Sequence, residues 1–162
     1  MNQVKDRLPA PACFREVEEK DLPSIARWFR QSADLPPEQQ QVILESFIHL
    51  YAGPDGLWRR HTRVMTLGEE AVLAVELIAG EVNMVAKPCI ARDAALLRGA
   101  WRQVLEYFFF EEGLPVIGIS IPAYRLMDIR ALQALGCRRR RNFTDNQVTH
   151  HRYVCRPKNL RR

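Results

Sequence analysis

Apolar and polar positions along the chain fall into blocks of two alternating periods. After eleven residues ending in Pro9-Ala10-Pro11, which read as a flexible arm, Cys13-Phe14-Arg15-Glu16-Val17-Glu18 mixes apolar and charged side chains at period two, as a half-buried strand does. Asp21 then reads as an N-cap and Pro23 as a first-turn residue of a helix whose Leu22, Ile25, Ala26 and Phe29 recur at helical spacing. Pro36-Pro37 interrupts, residues 38–51 form a second helical pattern, and Gly53-Pro54-Asp55-Gly56 is a turn signal. Residues 62–67, 71–78 and 81–87 are rich in Val, Leu and Ile and are separated by Gly68-Glu69-Glu70 and Ala79-Gly80, which predicts an antiparallel meander. Residues 92–113 return to helical periodicity and stop at Gly113. Residues 114–121 are almost continuously apolar, as in a strand covered on both faces. A short helix over 124–135 ends at Gly136, and residues 137–143 and 148–155 pair as a final hairpin. The order predicts an α+β domain: one mixed, mostly antiparallel sheet of about seven strands with helices on both faces. Its expected limits are residues 12–156, between the arm at 1–11 and a basic tail at 157–162.

Composition narrows the function classes. The 162 residues are 47% hydrophobic and 27% charged, which suits one globular domain and excludes a disordered or fibrous chain. No run approaches the ~20 apolar residues of a membrane span, and no apolar segment follows the charges at the N-terminus. Cys13, Cys89, Cys137 and Cys155 are widely spaced with no Cys-x-x-Cys pair, which points to reduced cytoplasmic thiols rather than a zinc module or a disulfide framework. The net charge of +5 is uneven: residues 1–90 carry −3 and residues 91–162 carry +8. A basic second half attracts phosphates or another acidic partner.

Three local signals carry a family resemblance. They are the opening Phe14-Arg15-Glu16-Val17-Glu18-Glu19-Lys20-Asp21-Leu22, the strand end Val85-Ala86-Lys87-Pro88 and the helix-to-strand junction Leu132-Gln133-Ala134-Leu135-Gly136-Cys137. In their order and spacing these resemble the GNAT superfamily of acyl-CoA-dependent N-acyltransferases over residues 13–155, nearly the whole chain. The resemblance implies acetyl-CoA or another acyl-CoA as cosubstrate and a small-molecule or protein amine as acceptor. Its pantetheine arm would lie in a splay between the strands ending at Lys87 and Ala123, against backbone groups of Val85 and Lys87. Arg92 and the N–H groups of Asp93, Ala94, Ala95 and Leu96 would meet the pyrophosphate. The family's glycine loop is absent: Arg92 stands for its leading basic residue, Ala95 and Leu97 replace the glycine and Gly/Ala positions, and Asp93 adds a negative charge. The family's proton-donating Tyr falls on Leu132 and its Asn on Arg125, so Tyr124 becomes the candidate acid. Glu76, set in the apolar run Ala71–Ile78, is the candidate base because burial would raise its pKa; Glu81 and Ser120 are alternatives. Ile119-Ser120-Ile121-Pro122-Ala123-Tyr124 and the ending Asn142-Phe143-Thr144 to His151-Arg152-Tyr153-Val154 resemble GNAT-fold proteins of tailed phages, which offers the alternative of a prophage-derived binding or structural protein without catalysis.

Other constellations are less telling. Arg138-Arg139-Arg140-Arg141 on a strand would blunt a sheet edge, bind CoA phosphates or contact nucleic acid, and no helix-turn-helix, stacking platform or zinc module supports the last reading. Neighbouring His150 and His151 point to opposite faces of a strand and cannot chelate one ion, and His49 and His61 lack partners at ligand spacing, so no metal site is expected. Phe108-Phe109-Phe110 with Trp101 and Tyr107 reads as core, its exposed remainder as a homodimer contact.

Overall fold

The structure, a computed structural model, describes residues 8–31, 38, 61–145 and 147–160. The second helical pattern at 38–51 and the turn at 53–56 lie outside the described residues apart from Glu38. Strand β1 (Ala12–Glu16) leads through a 3-10 turn (Glu19–Asp21) into α1 (Leu22–Gln31). Strands β2 (Thr62–Leu67), β3 (Glu70–Ile78) and β4 (Glu81–Ala86) form the expected meander. A short helix α2 (Pro88–Ala91) precedes α3 (Ala94–Glu106), which runs into a π-helical turn (Tyr107–Glu111). Strand β5 (Ile117–Pro122), helix α4 (Leu126–Ala134) and the hairpin β6 (Arg138–Asp145)–β7 (Val148–Cys155) complete the chain before a 3-10 turn (Pro157–Asn159). The seven strands make one sheet in the order β1-β2-β3-β4-β5-β7-β6, parallel only between β4 and β5.

Turn chemistry fixes the meander. Ala79 and Gly80 both have positive φ (51° and 78°), the two-residue hairpin geometry whose twist matches the strands it joins. Helices cover both faces. Trp101, Leu97, Val104 and Leu105 of α3 and Leu132 of α4 pack on Val75, Met84, Ile117, Ile119 and Tyr153, whereas Ile25 and Trp28 of α1 pack on Val64 and Ala74 of the other face, with Val85 beside them. Phe108 and Phe109 are buried and Phe110 is 64% exposed. Cys137 and Cys155 are buried, and Cys13 and Cys89 exposed. Leu8 and Leu160, near the two ends of the described chain, also pack against the core. Among the described residues no helix is long and apolar enough to cross a membrane.

Two boundaries differ from the sequence expectation. The helix expected over residues 92–113 starts at Ala94 rather than Arg92, because Asp93 takes an extended conformation and caps it, with Leu96 N–H donating to its carboxylate at 3.0 Å, and it passes without a break into the π-helical turn at Tyr107. Asp21 is not an N-cap but closes a capping box begun at Glu18, accepting from Glu18 N–H at 2.8 Å and from both terminal nitrogens of Arg15 at 2.7 and 2.8 Å. Burial pushes the Asp21 carboxyl up, but the bonds from Arg15 and Glu18 outweigh it and hold the group below the usual carboxylate range. A folded pKa below the unfolded one gives stability that is complete above the ordinary carboxylate range and disappears as pH falls through the depressed value. Asp21→Asn should cost about 1 kcal/mol at neutral pH and flatten the acid limb of a circular-dichroism stability curve. An acid limb identical to that of the parent protein would refute this account.

Candidate active site

The sheet opens where its one parallel pair begins. Strands β4 and β5 are joined by a single register pair, Glu81 with Gly118, and by Gly118 N–H donating to Gly80 O at 2.9 Å. Beyond it the two strands diverge toward their C-terminal ends, leaving a slot in mid-sheet. Which backbone groups face the slot follows from alternation along a strand. Lys87 N–H donates to Val72 O at 2.8 Å, so Lys87, and two residues back Val85, turn their backbone toward β3. Met84 and Ala86 therefore turn theirs toward β5. On the facing strand, Ala123 N–H donates to Thr149 O at 2.8 Å, which turns Ala123, Ile121 and Ile119 toward β7 and leaves Ser120 and Pro122 facing β4. The backbone partners named from the sequence are thus one residue out of phase: Val85 and Lys87 are spent on β3, and Met84 and Ala86 line the slot. The Lys87 carbonyl accepts from Ile90 and Ala91, and its ammonium pairs with Glu70.

Above the slot lies the N-terminus of α3, the expected pyrophosphate loop. Of its candidate donors, Asp93 N–H bonds Ile90 O at 3.3 Å and Leu96 N–H bonds the Asp93 side chain. Ala94 and Ala95 keep uncommitted N–H groups among the described residues, and Arg92 caps α2 alongside. The carboxylate of Asp93 occupies the position where a helix N-terminus would otherwise attract an anion.

A tight turn at the end of β5 carries Tyr124, which is 39% exposed. Arg125 N–H donates to Pro122 O and Leu126 N–H to Tyr124 O, both at 2.9 Å. Behind the turn is a cluster that sequence reasoning missed. Asp128, 7% exposed, accepts from the indole N–H of the fully buried Trp101 at 2.9 Å and from Arg125 Nε at 3.1 Å. The signal was an acidic residue at helical spacing from Arg125, unremarkable without Trp101 from another helix. Leu132 is fully buried and part of the core.

The α1-side face of the sheet flanks the slot. Glu76 lies there on β3, half-buried, and accepts from Asn83 Nδ2 of β4 at 3.2 Å. Its cross-strand partner on β4, Asn83, lies two residues past the one register pair that joins β4 to β5. Gly118 lets Arg152 of β7 reach Glu81 of β4 over the top of β5, with Arg152 Nε donating to Glu81 Oε1 at 3.0 Å. A Cβ at Gly118 would lie 2.5 Å from that oxygen and 2.7 Å from Arg152 Nη2. This strap ties β4 to β7 at the base of the slot. On the β5 flank, Pro122 pairs with His150 and His150 with Phe143 of β6. The His150 and Phe143 rings stack at 5.0 Å and 7°. Among the described residues no His, Cys, Asp and Glu side chains gather into a group that could hold a metal ion.

A seven-stranded sheet that opens between β4 and β5, with α3 and α4 behind it, has counterparts among solved structures. A spermidine N-acetyltransferase SpeG chimera from Vibrio cholerae and hSSAT superposes with a TM-score of 0.65 at 16% identity, covering 90% of this chain and 95% of that one. An acetyltransferase of the GNAT family from Bacillus anthracis gives 0.62 at 15% identity, covering 91% and 95%. The spermidine/spermine N-acetyltransferase SpeG from Vibrio cholerae gives 0.61 at 16%, covering 90% and 92%. The chain has the GNAT fold. No protein-family model and no curated protein sequence matches it. The GNAT-fold neighbours lend no support to the resemblance to phage proteins drawn from residues 119–124 and 142–154.

Proposed function

We propose that the chain is an acyl-CoA-dependent N-acyltransferase. The observation that carries this reading is the slot between β4 and β5, with the backbone groups of Met84, Ala86 and Ser120 directed into it. Pantetheine is an extended chain with two amides, and it fills such a gap as an added strand does, by main-chain hydrogen bonds. Arg92 and the N–H groups of Ala94 and Ala95 meet the pyrophosphate. The acceptor nitrogen approaches on the α1-side face, where Glu76 removes a proton. The nitrogen attacks the thioester carbonyl carbon, the C–N bond forms and the C–S bond breaks. The departing CoA thiolate takes a proton from the Tyr124 phenol at the end of β5, the tyrosinate regains one from the cationic nitrogen of the tetrahedral adduct through water, and Glu76 returns its proton to solvent.

Isothermal titration calorimetry with acetyl-CoA at low and moderate salt tests this. The expected result is one site of micromolar affinity that survives the higher salt. Heat that vanishes with salt would mean only that a polyanion meets a basic surface, and absence of binding overturns the transferase.

A second reading, a GNAT-fold binding protein without catalysis, is favoured by the Asp93 carboxylate seated on α3 and by Leu132 buried at the acid position of the family. Acetyl-CoA bound at one site with no acyl transfer to any amine would select it.

A further inference from the structure

We infer that the acceptor is an amine that also carries a negative charge, a short peptide with a carboxylate about two strand spacings from its amino group, whose anion is held by Arg138 and Arg141. This rests on the transferase reading. Strand β6 forms the edge of the sheet, and all four of its consecutive arginines are exposed. In a regular strand residues three apart point to opposite faces, so Arg138 and Arg141 would be separated by the sheet. They are not, because the register shifts between Arg139 and Arg141: Arg138 pairs with Val154 and Arg141 with Arg152, successive same-face positions of β7. The extra residue, Arg140, turns both side chains to one face, as bulges beside functional sites do.

That face is the acceptor face. Arg152 reaches Glu81 across it, and Glu81, Asn83 and Val85 alternate onto the side that α1 covers. His150 lies two residues from Arg152 in the unbroken β5–β7 register and shares its face, one strand from the slot. Its Nδ1 is 3.0 Å from Val148 O, and a carbonyl only accepts, so Nδ1 carries a hydrogen and Nε2 is turned away from that carbonyl. The stacked His150 and Phe143 rings form a floor from the slot to the sheet edge, and the Arg141 guanidinium stands 6.0 Å from the Phe143 centroid. Arg152 is neutralised by Glu81, whereas among the described residues Arg138 and Arg141 have no carboxylate partner. Among the described residues the face is therefore polarised, with Glu76 on the β3 side of the slot and the guanidiniums of Arg138 and Arg141 on the β6 side. An ammonium is drawn toward Glu76, and an anion about two strand spacings beyond the slot is drawn toward Arg141. Among the described residues a polycation meets only like charge at the arginine end.

The test uses the full chain with acetyl-CoA, measuring CoA release with glycyl-glutamate, glycinamide and spermidine as acceptors, and calorimetric binding of glycyl-glutamate to the protein saturated with CoA. Glycyl-glutamate is expected to be the preferred acceptor. Arg141→Gln should raise its KM and weaken its binding about tenfold, with kcat, the glycinamide KM and acetyl-CoA affinity unchanged. Arg139→Gln, on the opposite face, should change none of these. If acetyl-CoA itself does not bind, the transferase reading falls and this inference with it. If acetyl-CoA binds but glycyl-glutamate does not, or spermidine is preferred, or Arg141→Gln behaves as the parent, the anionic acceptor alone is refuted.

Discussion

Asp128→Ala is expected to destabilise the fold by about 2–4 kcal/mol and to lower Tm by roughly 10 °C. Trp101 is fully buried between α3, α4 and the sheet, and the Asp128 carboxylate accepts its indole N–H. Removing that acceptor leaves a donor in a dry core, which costs about 1–3 kcal/mol in itself. The cavity left by the lost carboxylate adds to it, whereas the Arg125 pair adds less, because that guanidinium is one-third exposed and screened by water. Asp128→Asn keeps an acceptor oxygen of the same reach and should lose much less. Thermal melts of both variants, with Trp101→Phe and the double mutant, complete a cycle. The predicted outcome is strong non-additivity, since either single change already breaks the same bond. Additive losses, or a loss below about 1 kcal/mol for Asp128→Ala, would show that the cluster does not hold α3 to α4. The turn that presents Tyr124 is anchored on Arg125, so acyl transfer should fall in Asp128→Ala by more than folding loss explains.

The elements legible in the sequence were those whose signal is local. The meander could be read because Gly68 and Ala79-Gly80 mark two-residue turns, and the β5 run because a strand covered on both faces has no polar side. The α+β order followed from those elements alone. What escaped depended on a partner distant in sequence. The helix over 94–111 was legible from its apolar periodicity, but the change to π-helical turns at its end was not. The π-helical turn at Tyr107–Glu111 has a tertiary setting, with Tyr107 stacked on Phe14 at 4.3 Å, donating to Glu112 at 2.6 Å and accepting from Arg63 at 3.3 Å.

The direction of backbone groups along β4 was not legible in the sequence. Side-chain alternation can be read from a strand, but the direction of its N–H groups depends on which neighbour it pairs with. Hence Val85 and Lys87, expected to face the slot, turn their backbone groups to β3, and Met84 and Ala86 turn theirs to β5. The arginine run illustrates the same limit. Its edge position could be anticipated from charge, but the bulge that gathers Arg138 and Arg141 on one face exists only relative to β7. Glu76 could be noticed as a polar residue in an apolar run, yet its bond from Asn83 and its place beside the slot are properties of register.

Asp93→Ser is expected to tighten acetyl-CoA binding about tenfold while leaving stability nearly unchanged. Ser caps a helix about as well as Asp, so Leu96 N–H keeps an acceptor and α3 its start. What disappears is one negative charge at the point where a pyrophosphate must approach Ala94 and Ala95. Two like charges a few ångströms apart at a protein surface repel by a few kcal/mol before salt and exposure reduce the figure, and a tenfold gain needs only about 1.4 kcal/mol of it. Asp93→Ala separates the two roles of the side chain: it should gain the same affinity and lose about 1 kcal/mol of stability with the cap. Calorimetry at two salt concentrations with a thermal melt of each variant reads both effects. Tighter binding, greatest at low salt, would mean that α3 retains a working anion site restrained by its own cap. Unchanged affinity in both variants would place the pyrophosphate elsewhere, and the roles assigned to Arg92, Ala94 and Ala95 would fall with it.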